Sequence, residues 1–451
     1  MANNTYDNLS FGITLGSENR RWVFQFNEDR FRHAAIIGRT GSGKSNHILQ
    51  MEREDIRNGA GVAIIAANEE DALYPLMCVP EERLGDVVII DPTNTRFLPC
   101  MNPLDVDRSD DAAVSKAIYD CIQLLKCQCQ NDWAGPRFAH LARLALEIML
   151  SPGYAGEPGI EEIEKLYVER DYADHVTFGI TDRRLLEQWC LETRNRGTTD
   201  HDDMVQWFLS KIKPFTSDRV LRNIFAPDAK TIDIKSIVDE GKILVAVIPE
   251  SRIGHDAAFI LRTWLLMQLK DAILLRGSTT EDTPYGICGG LPERPEIEPF
   301  FVYVDEFGEH ATREFAALLA ESRKYRVGFT LAFQNLEQLR VLDPRTGTKS
   351  NELLDAVFGN IGTVICYPIG INDATTIARQ MGVPEWSLMG IERYRPLARI
   401  CEDNESRVRT LDVPPKPEPD NPEMPEELAE EQIIHNRWWP VRKDKQGKRA
   451  A

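Results

Sequence analysis

The octapeptide Gly38-Arg39-Thr40-Gly41-Ser42-Gly43-Lys44-Ser45 follows the apolar run Ala34-Ala35-Ile36-Ile37 and opens a stretch of helical character. Few local sequences constrain a fold as strongly, because Gly-x-x-x-x-Gly-Lys-Ser between a strand and a helix is a phosphate-binding P-loop. Glycines at 38, 41 and 43 let the backbone curl into a concave nest of N–H donors, and the following helix adds the positive end of its dipole. The nucleotide-binding set expected from this segment is Gly38, Thr40, Gly41, Ser42, Gly43, Lys44, Ser45 and Asn46. Lys44 is expected to bridge the phosphates of ATP, and Ser45 to ligate Mg²⁺.

A carboxylate site lies far downstream. The short apolar run Pro299-Phe300-Phe301-Val302-Tyr303-Val304 ends in Asp305-Glu306, the pattern of a Walker B strand. A carboxylate at the end of a buried strand can hold the metal, and a second one beside it can deprotonate an attacking water. Asp305 is assigned to Mg²⁺ and Glu306 to the water. A third apolar run, Val327 to Phe333, ends in Gln334, whose amide is placed to sense the γ-phosphate.

These pieces, with a helix ending Glu321-Ser322-Arg323-Lys324-Tyr325 and a strand ending Ala332-Phe333-Gln334, resemble the HerA/FtsK superfamily of ring-forming translocases. The branch they resemble most is that of HerA-like ATPases and the coupling proteins of conjugative type IV secretion. Ile90-Asp91-Pro92, Met101-Asn102-Pro103-Leu104-Asp105, Ile243 to Ser251 and Asn360-Ile361-Gly362-Thr363-Val364 extend the likeness over roughly residues 30 to 412. The resemblance implies a RecA-like (ASCE) P-loop core and a homo-oligomer, a hexamer, that hydrolyses ATP at its subunit interfaces to move DNA. It also implies a relaxase, nuclease or membrane-channel partner. At the position matching the family's trans-acting arginine stands Arg323, whose planar, permanent charge suits a developing phosphoryl anion; Lys324 and Arg326 lie beside it. Relatives often carry Asp-Pro-x-Gly-Asp after the second strand, where this chain has Ala66-Ala67-Asn68-Glu69-Glu70, so only Glu70 approximates that turn. The alternative reading is a secretion or assembly ATPase that works on protein or pilus subunits without threading DNA.

Composition narrows the setting. The chain has 451 residues, 42% of them apolar, enough for a large core with an insertion. Nine cysteines without a paired Cys-x-x-Cys set read as reduced thiols of a cytoplasmic protein. No signal peptide is visible at the N-terminus and no run approaches the roughly 20 apolar residues of a membrane span, so the chain as given is expected to be soluble, with attachment to the inner face of a membrane coming through a partner. A formal net charge of −18 argues against a surface that coats DNA uniformly, although a pore needs only local cations. Arg345 and Lys349 are candidates for such contacts.

The expected fold class is α/β, a mostly parallel central sheet with an inserted all-α domain. Residues 1–30 form a polar segment with short strands, and 31–107 with 236–412 form the motor domain. Helical periodicity dominates 108–235. From 413 a stiff Pro414-Pro415-Lys416-Pro417-Glu418-Pro419 linker leads into an acidic stretch, Glu426 to Glu431, and then to Trp438-Trp439 among Arg437, Arg442 and Lys443, a pair expected to dock on a neighbouring subunit or the motor face.

Overall fold

The computed structural model describes residues 12–94, 99–127, 135–194, 198–227, 232–276, 297–309, 313–342, 349–402 and 405–421. They fall into two compact units, Asp91–Asp233 with Glu250–Met267, and the rest of the described chain.

The larger unit is built on a nine-stranded sheet in the order β13-β12-β11-β3-β8-β7-β4-β6-β5. Its strands are β3 Ala34–Ile37, β4 Gly61–Ala66, β5 Val87–Ile90, β6 Ile243–Val247, β7 Phe300–Val304, β8 Val327–Phe333, β11 Thr363–Cys366, β12 Leu397–Glu402 and β13 Glu405–Thr410. All neighbours are parallel except β11–β12 and β12–β13. Strands β3, β4, β6, β7, β8 and β11 are buried along their whole length, which is why they read as unbroken apolar runs and not as alternating ones. The closing pair β12–β13 escaped that reading because its charged residues, Arg399, Arg407 and Arg409 among them, interrupt the apolar signal.

Ahead of the sheet, β1 Gly12–Glu18 and β2 Arg21–Phe26 form an antiparallel hairpin. Its inner face, Ile13, Leu15, Val23 and Gln25, is buried, and Gln25 Nε2 donates to Thr363 Oγ1 at 2.8 Å. Two short strands, β9 Val341–Leu342 and β10 Lys349–Ser350, pair separately.

Among its described residues the smaller unit has helices and no strand: Asp111–Cys127, Pro136–Leu150, Ile160–Val168, Arg170–Thr177, Arg183–Thr193, Thr199–Ser217, Arg219–Ile224, Glu250–Ile253 and the first part of His255–Leu274. Phe138, Tyr167 and Phe208 meet edge to face in its core, and Phe225 packs on Phe215 and Trp264. The sequence places its start at residue 108, whereas the compact unit begins at Asp91. The reason lies in local bonding: Met101 N–H donates to Ile224 O at 2.7 Å, and Asn102 Nδ2 to Pro158 O at 3.1 Å.

Beneath the sheet of the larger unit lies a buried ion pair. Arg30 bonds both oxygens of Asp55 at 2.6 Å, Tyr303 Oη donates to Asp55 Oδ2 at 2.5 Å, and the Arg30 guanidinium lies 3.5 Å from the Phe301 ring centroid. Burial opposes the Arg30 charge, but Asp55 and Tyr303 outweigh it and hold the guanidinium protonated. Asp55→Asn leaves Arg30 buried without its counter-charge and is expected to cost about 3–5 kcal/mol of unfolding free energy, read as a lower urea midpoint. The apolar double variant Arg30→Met/Asp55→Leu should recover most of that loss; a single variant as stable as wild type would show the pair to be dispensable.

Candidate nucleotide site

The P-loop occupies the carboxyl edge of β3, between the ends of β8 and β11. Gly38 N–H donates to Phe333 O at 3.2 Å and Arg39 N–H to Pro368 O at 2.9 Å. A Cβ on Gly38 would stand 2.5 Å from the Cβ of Tyr367, so nothing larger fits there. Gly41 (φ +73°) and Gly43 (φ +112°) adopt left-handed backbone, and the Tyr394 ring lies 2.6 Å from where a Cβ of Gly43 would be. Helix Lys44–Arg57 begins directly after this turn with no side-chain cap, leaving its first N–H groups for an anion. The buried Ser42 Oγ has no partner, and Ser45 is exposed at the helix start. This donor set fits a polyphosphate.

Lys44 is nearly buried, its ammonium donating to Gly38 O at 2.6 Å and to Arg39 O at 3.3 Å. Burial lowers its pKa, against the attraction of Asp305 and Glu306. Asp305 is raised, first by burial and then by repulsion from Glu306, with the Glu306 N–H bonded to its Oδ1 at 3.0 Å pulling the other way. A divalent cation there would restore the charged form, as a Walker B carboxylate requires.

Glu306 takes a left-handed conformation (φ +53°), a strained position for a non-glycine residue that turns its carboxylate off the strand axis. There it accepts a 2.9 Å hydrogen bond from Gln334 Nε2, while Gln334 Oε1 accepts from Thr40 Oγ1 at 3.3 Å. The structure thus joins Thr40, Gln334 and Glu306 into one chain of bonds running from P-loop to Walker B.

Asn46 lies elsewhere. Its amide donates to Pro414 O at 2.9 Å and accepts from Lys416 N–H at 2.6 Å, so its side chain is committed to the chain's own backbone. Gln50, Arg53 and Arg57 continue the same stripe of the helix, bonding Pro414 O and Asp420. Tyr74 Oη donates to Pro417 O, and Asn421 binds Met77 O and Val79 O. The proline-rich segment read as a linker is therefore a strap laid along the P-loop helix.

The turn after β4 is built differently from the family pattern. Asn68 caps helix Glu69–Met77 by accepting from Asp71 N–H at 2.9 Å and donating to Asp71 Oδ2 at 2.7 Å. The acid whose field reaches Asp305 is Asp71, not Glu70. Asp71, Tyr367 and Tyr394 are the site neighbours that sequence reasoning missed; Tyr367 and Tyr394 lie beyond residue 360 and approach the loop only through the closing strands.

Arg323 stands apart from these groups, exposed in the turn Arg323–Tyr325, with no ion pair or side-chain hydrogen bond among the described residues. Arg326 is engaged in its own chain, 5.6 Å from the Phe31 ring centroid and 3.6 Å from Glu28. Lys349 pairs with Glu337. Arg345 and Trp438-Trp439 lie outside the described residues. Among the described residues no acid, histidine or cysteine cluster forms a ready metal cage, and no helix is long and apolar enough to cross a membrane.

No protein-family model and no curated protein sequence matches the chain. Solved structures do. The bacterial conjugative coupling protein TrwBΔN70 superposes with a TM-score of 0.60 at 14% identity, covering 91% of each chain. TrwB bound to a non-hydrolysable ATP analogue gives 0.58 at 16% identity over 86% of each chain. VirB4 of Thermoanaerobacter pseudethanolicus gives 0.57 at 16% identity, over 90% of this chain and 97% of that one. At such identities the likeness shows the fold, a RecA-like P-loop NTPase core.

Two outcomes follow from this geometry. Gln334→Ala frees Glu306 from its amide and should lower nucleotide turnover about 10²-fold while nucleotide affinity changes little; equal loss of both would make Gln334 a structural residue. His47, on the P-loop helix and 3.0 Å from Tyr367 Oη, is held neutral by burial with its pKa lowered to about 4. The unfolded chain therefore takes up this proton first, and the stability His47 contributes is complete above pH 6.5 and lost as pH falls toward 4. The difference in unfolding free energy between wild type and His47→Gln should shrink by about 3 kcal/mol between pH 7 and pH 4.

Proposed function

We propose that the chain is an ATPase of the HerA/FtsK kind, assembling as a ring that hydrolyses ATP between subunits to move DNA in conjugative transfer, DNA processing or defence. The observation that carries this reading is the convergence of Lys44, Asp305, Glu306 and Gln334 at one edge of a sheet in which β8 lies between β3 and β7. That strand order is the ASCE arrangement, which supports reading Glu306, at the end of β7, as the catalytic glutamate. The likeness to TrwB, a conjugative coupling protein solved with ADP and Mg²⁺, supports ATP and Mg²⁺ as ligands and conjugation as a setting. On this reading the protein works in the cytoplasm, at the inner face of the membrane where a channel or relaxase partner recruits it.

Each residue has a chemical task. Lys44 exchanges the carbonyls of Gly38 and Arg39 for the β- and γ-phosphates, and the loop N–H groups with Ser42 Oγ cradle their oxygens. Mg²⁺ held by Ser45 and Asp305 would neutralise charge on the transferred phosphoryl group. Glu306 takes the proton of the attacking water, and Gln334 orients it through Thr40 to the loop. Arg323 of a neighbouring copy adds its charge at the γ-phosphate; its lack of a partner among the described residues leaves it available for that task.

The alternative, an assembly ATPase acting on protein or pilus subunits, is favoured by the net charge of −18 and by the pairing of Lys349 with Glu337. ATPase measurements with added DNA separate the two. The motor reading expects DNA to raise the rate several-fold, with an effect that falls steeply with salt as counterions are released. Glu306→Gln should keep ATP affinity while losing turnover, and Lys44→Ala should lose both. An active enzyme indifferent to single- and double-stranded DNA at low salt would leave the assembly ATPase standing.

A further inference from the structure

The residue before β3 is His33, 1% exposed and held at φ +63°. Its Nδ1 accepts the backbone N–H of Phe329 at 3.1 Å, which fixes the neutral tautomer with its proton on Nε2. That proton goes to Leu319 O at 2.7 Å, and the fully buried Ser322 Oγ lies 3.3 Å from the same nitrogen. Leu319 belongs to the last turn of helix Arg313–Ser322, where carbonyls have no helical partner. The imidazole therefore caps the helix at the point where the tighter turn Arg323–Tyr325 begins. The far side of the turn is tied to the same segment, since Arg326, in left-handed backbone, bonds Arg323 O through its N–H and reaches Phe31 and Glu28.

We infer that His33 is a positioning residue for Arg323: by capping Leu319 it ends the helix where it does and sets the direction in which the guanidinium leaves the subunit. This rests on the reading of Arg323 as a group that completes a neighbour's site. His33 also immediately precedes β3, the strand that leads into Gly38, so a cation acting on the next subunit's nucleotide is anchored at the start of the strand that carries this subunit's own P-loop. Any buried histidine satisfies its two ring nitrogens; what singles out His33 is that its partners, Leu319 and Phe329, stand on either side of Arg323 in the chain. Burial lowers the His33 pKa to about 4, so the neutral form that this cap requires persists at neutral pH.

The test uses substitutions that split the two bonds. His33→Asn keeps an acceptor near Nδ1 and tolerates left-handed backbone but loses the donor to Leu319; His33→Gln keeps a donor near Nε2. Turnover of His33→Asn should fall about 10²-fold with nucleotide affinity retained, because the misplacement is of a transition-state group. His33→Gln should recover most of it. Mixed with Glu306→Gln subunits, His33→Asn should regain ATPase activity as Arg323→Ala does, since each mixture contains interfaces with an intact Glu306 facing an intact Arg323. If Arg323→Ala mixtures recover and His33→Asn mixtures stay dead, or if His33→Asn loses affinity along with turnover, His33 serves its own subunit and the inference falls. If Arg323→Ala mixtures, with subunit exchange verified, also stay dead, the shared-site reading fails first and takes this inference with it.

Discussion

The site exists because of the parallel register of β3, β8 and β7. Ile37 pairs with Phe333 and Val304 with Leu331, so the residues that follow these strands, Gly38, Gln334 and Asp305-Glu306, emerge along a single edge. Chain distance has no bearing on this; Lys44 and Glu306 are brought within electrostatic reach by strands separated by more than half the sequence. Slipping one strand by a residue would turn every side chain to the opposite face and carry the carboxylates out of line with the loop. Register is secured by burial on both faces, with Ile36, Ile64, Tyr303 and Ala332 packed in one core cluster.

Under that sheet, the pair of Arg30 and Asp55 links the segment entering β3, the P-loop helix and the Walker B strand through Tyr303. Such a pair contributes little net stability over apolar packing of the same volume, because desolvation offsets most of the attraction. Its geometry is directional: the bidentate bond ties the P-loop helix to the segment entering β3, and the Tyr303 hydroxyl ties the same carboxylate to β7.

A second layer of control comes from parts of the chain that belong to no nucleotide-binding motif. The strap from Pro414 to Asn421 uses a full stripe of the P-loop helix, Asn46, Gln50, Arg53 and Arg57. Tyr367 and Tyr394 press on Gly38 and Gly43 from the closing strands, which is why both positions need glycine. The loop is thus enclosed by the end of the sheet that follows it in sequence, and its shape depends on tertiary contacts as much as on its own glycines.

The sequence by itself determined where the groups of the candidate site stand. A glycine-rich loop between an apolar run and a helix, and acids or an amide ending buried runs, are local patterns, and the backbone conformations they demand are local too; the placement of Lys44 at a helix start and of Asp305, Glu306 and Gln334 at the ends of buried strands was legible for that reason. The buried strands were legible as unbroken apolar runs, while β12 and β13, partly exposed and rich in arginine, were not. Only the tertiary structure decided which groups meet. Asn46 sits one residue past the loop yet turns to the strap, Asp71 and not its neighbour Glu70 is the acid that acts on Asp305, and Arg323 is distinguished from Arg326 by what each touches. These are matters of helix phase and of partners distant in the chain, and a pattern of residue types along one strand or helix carries no information about what lies across from it.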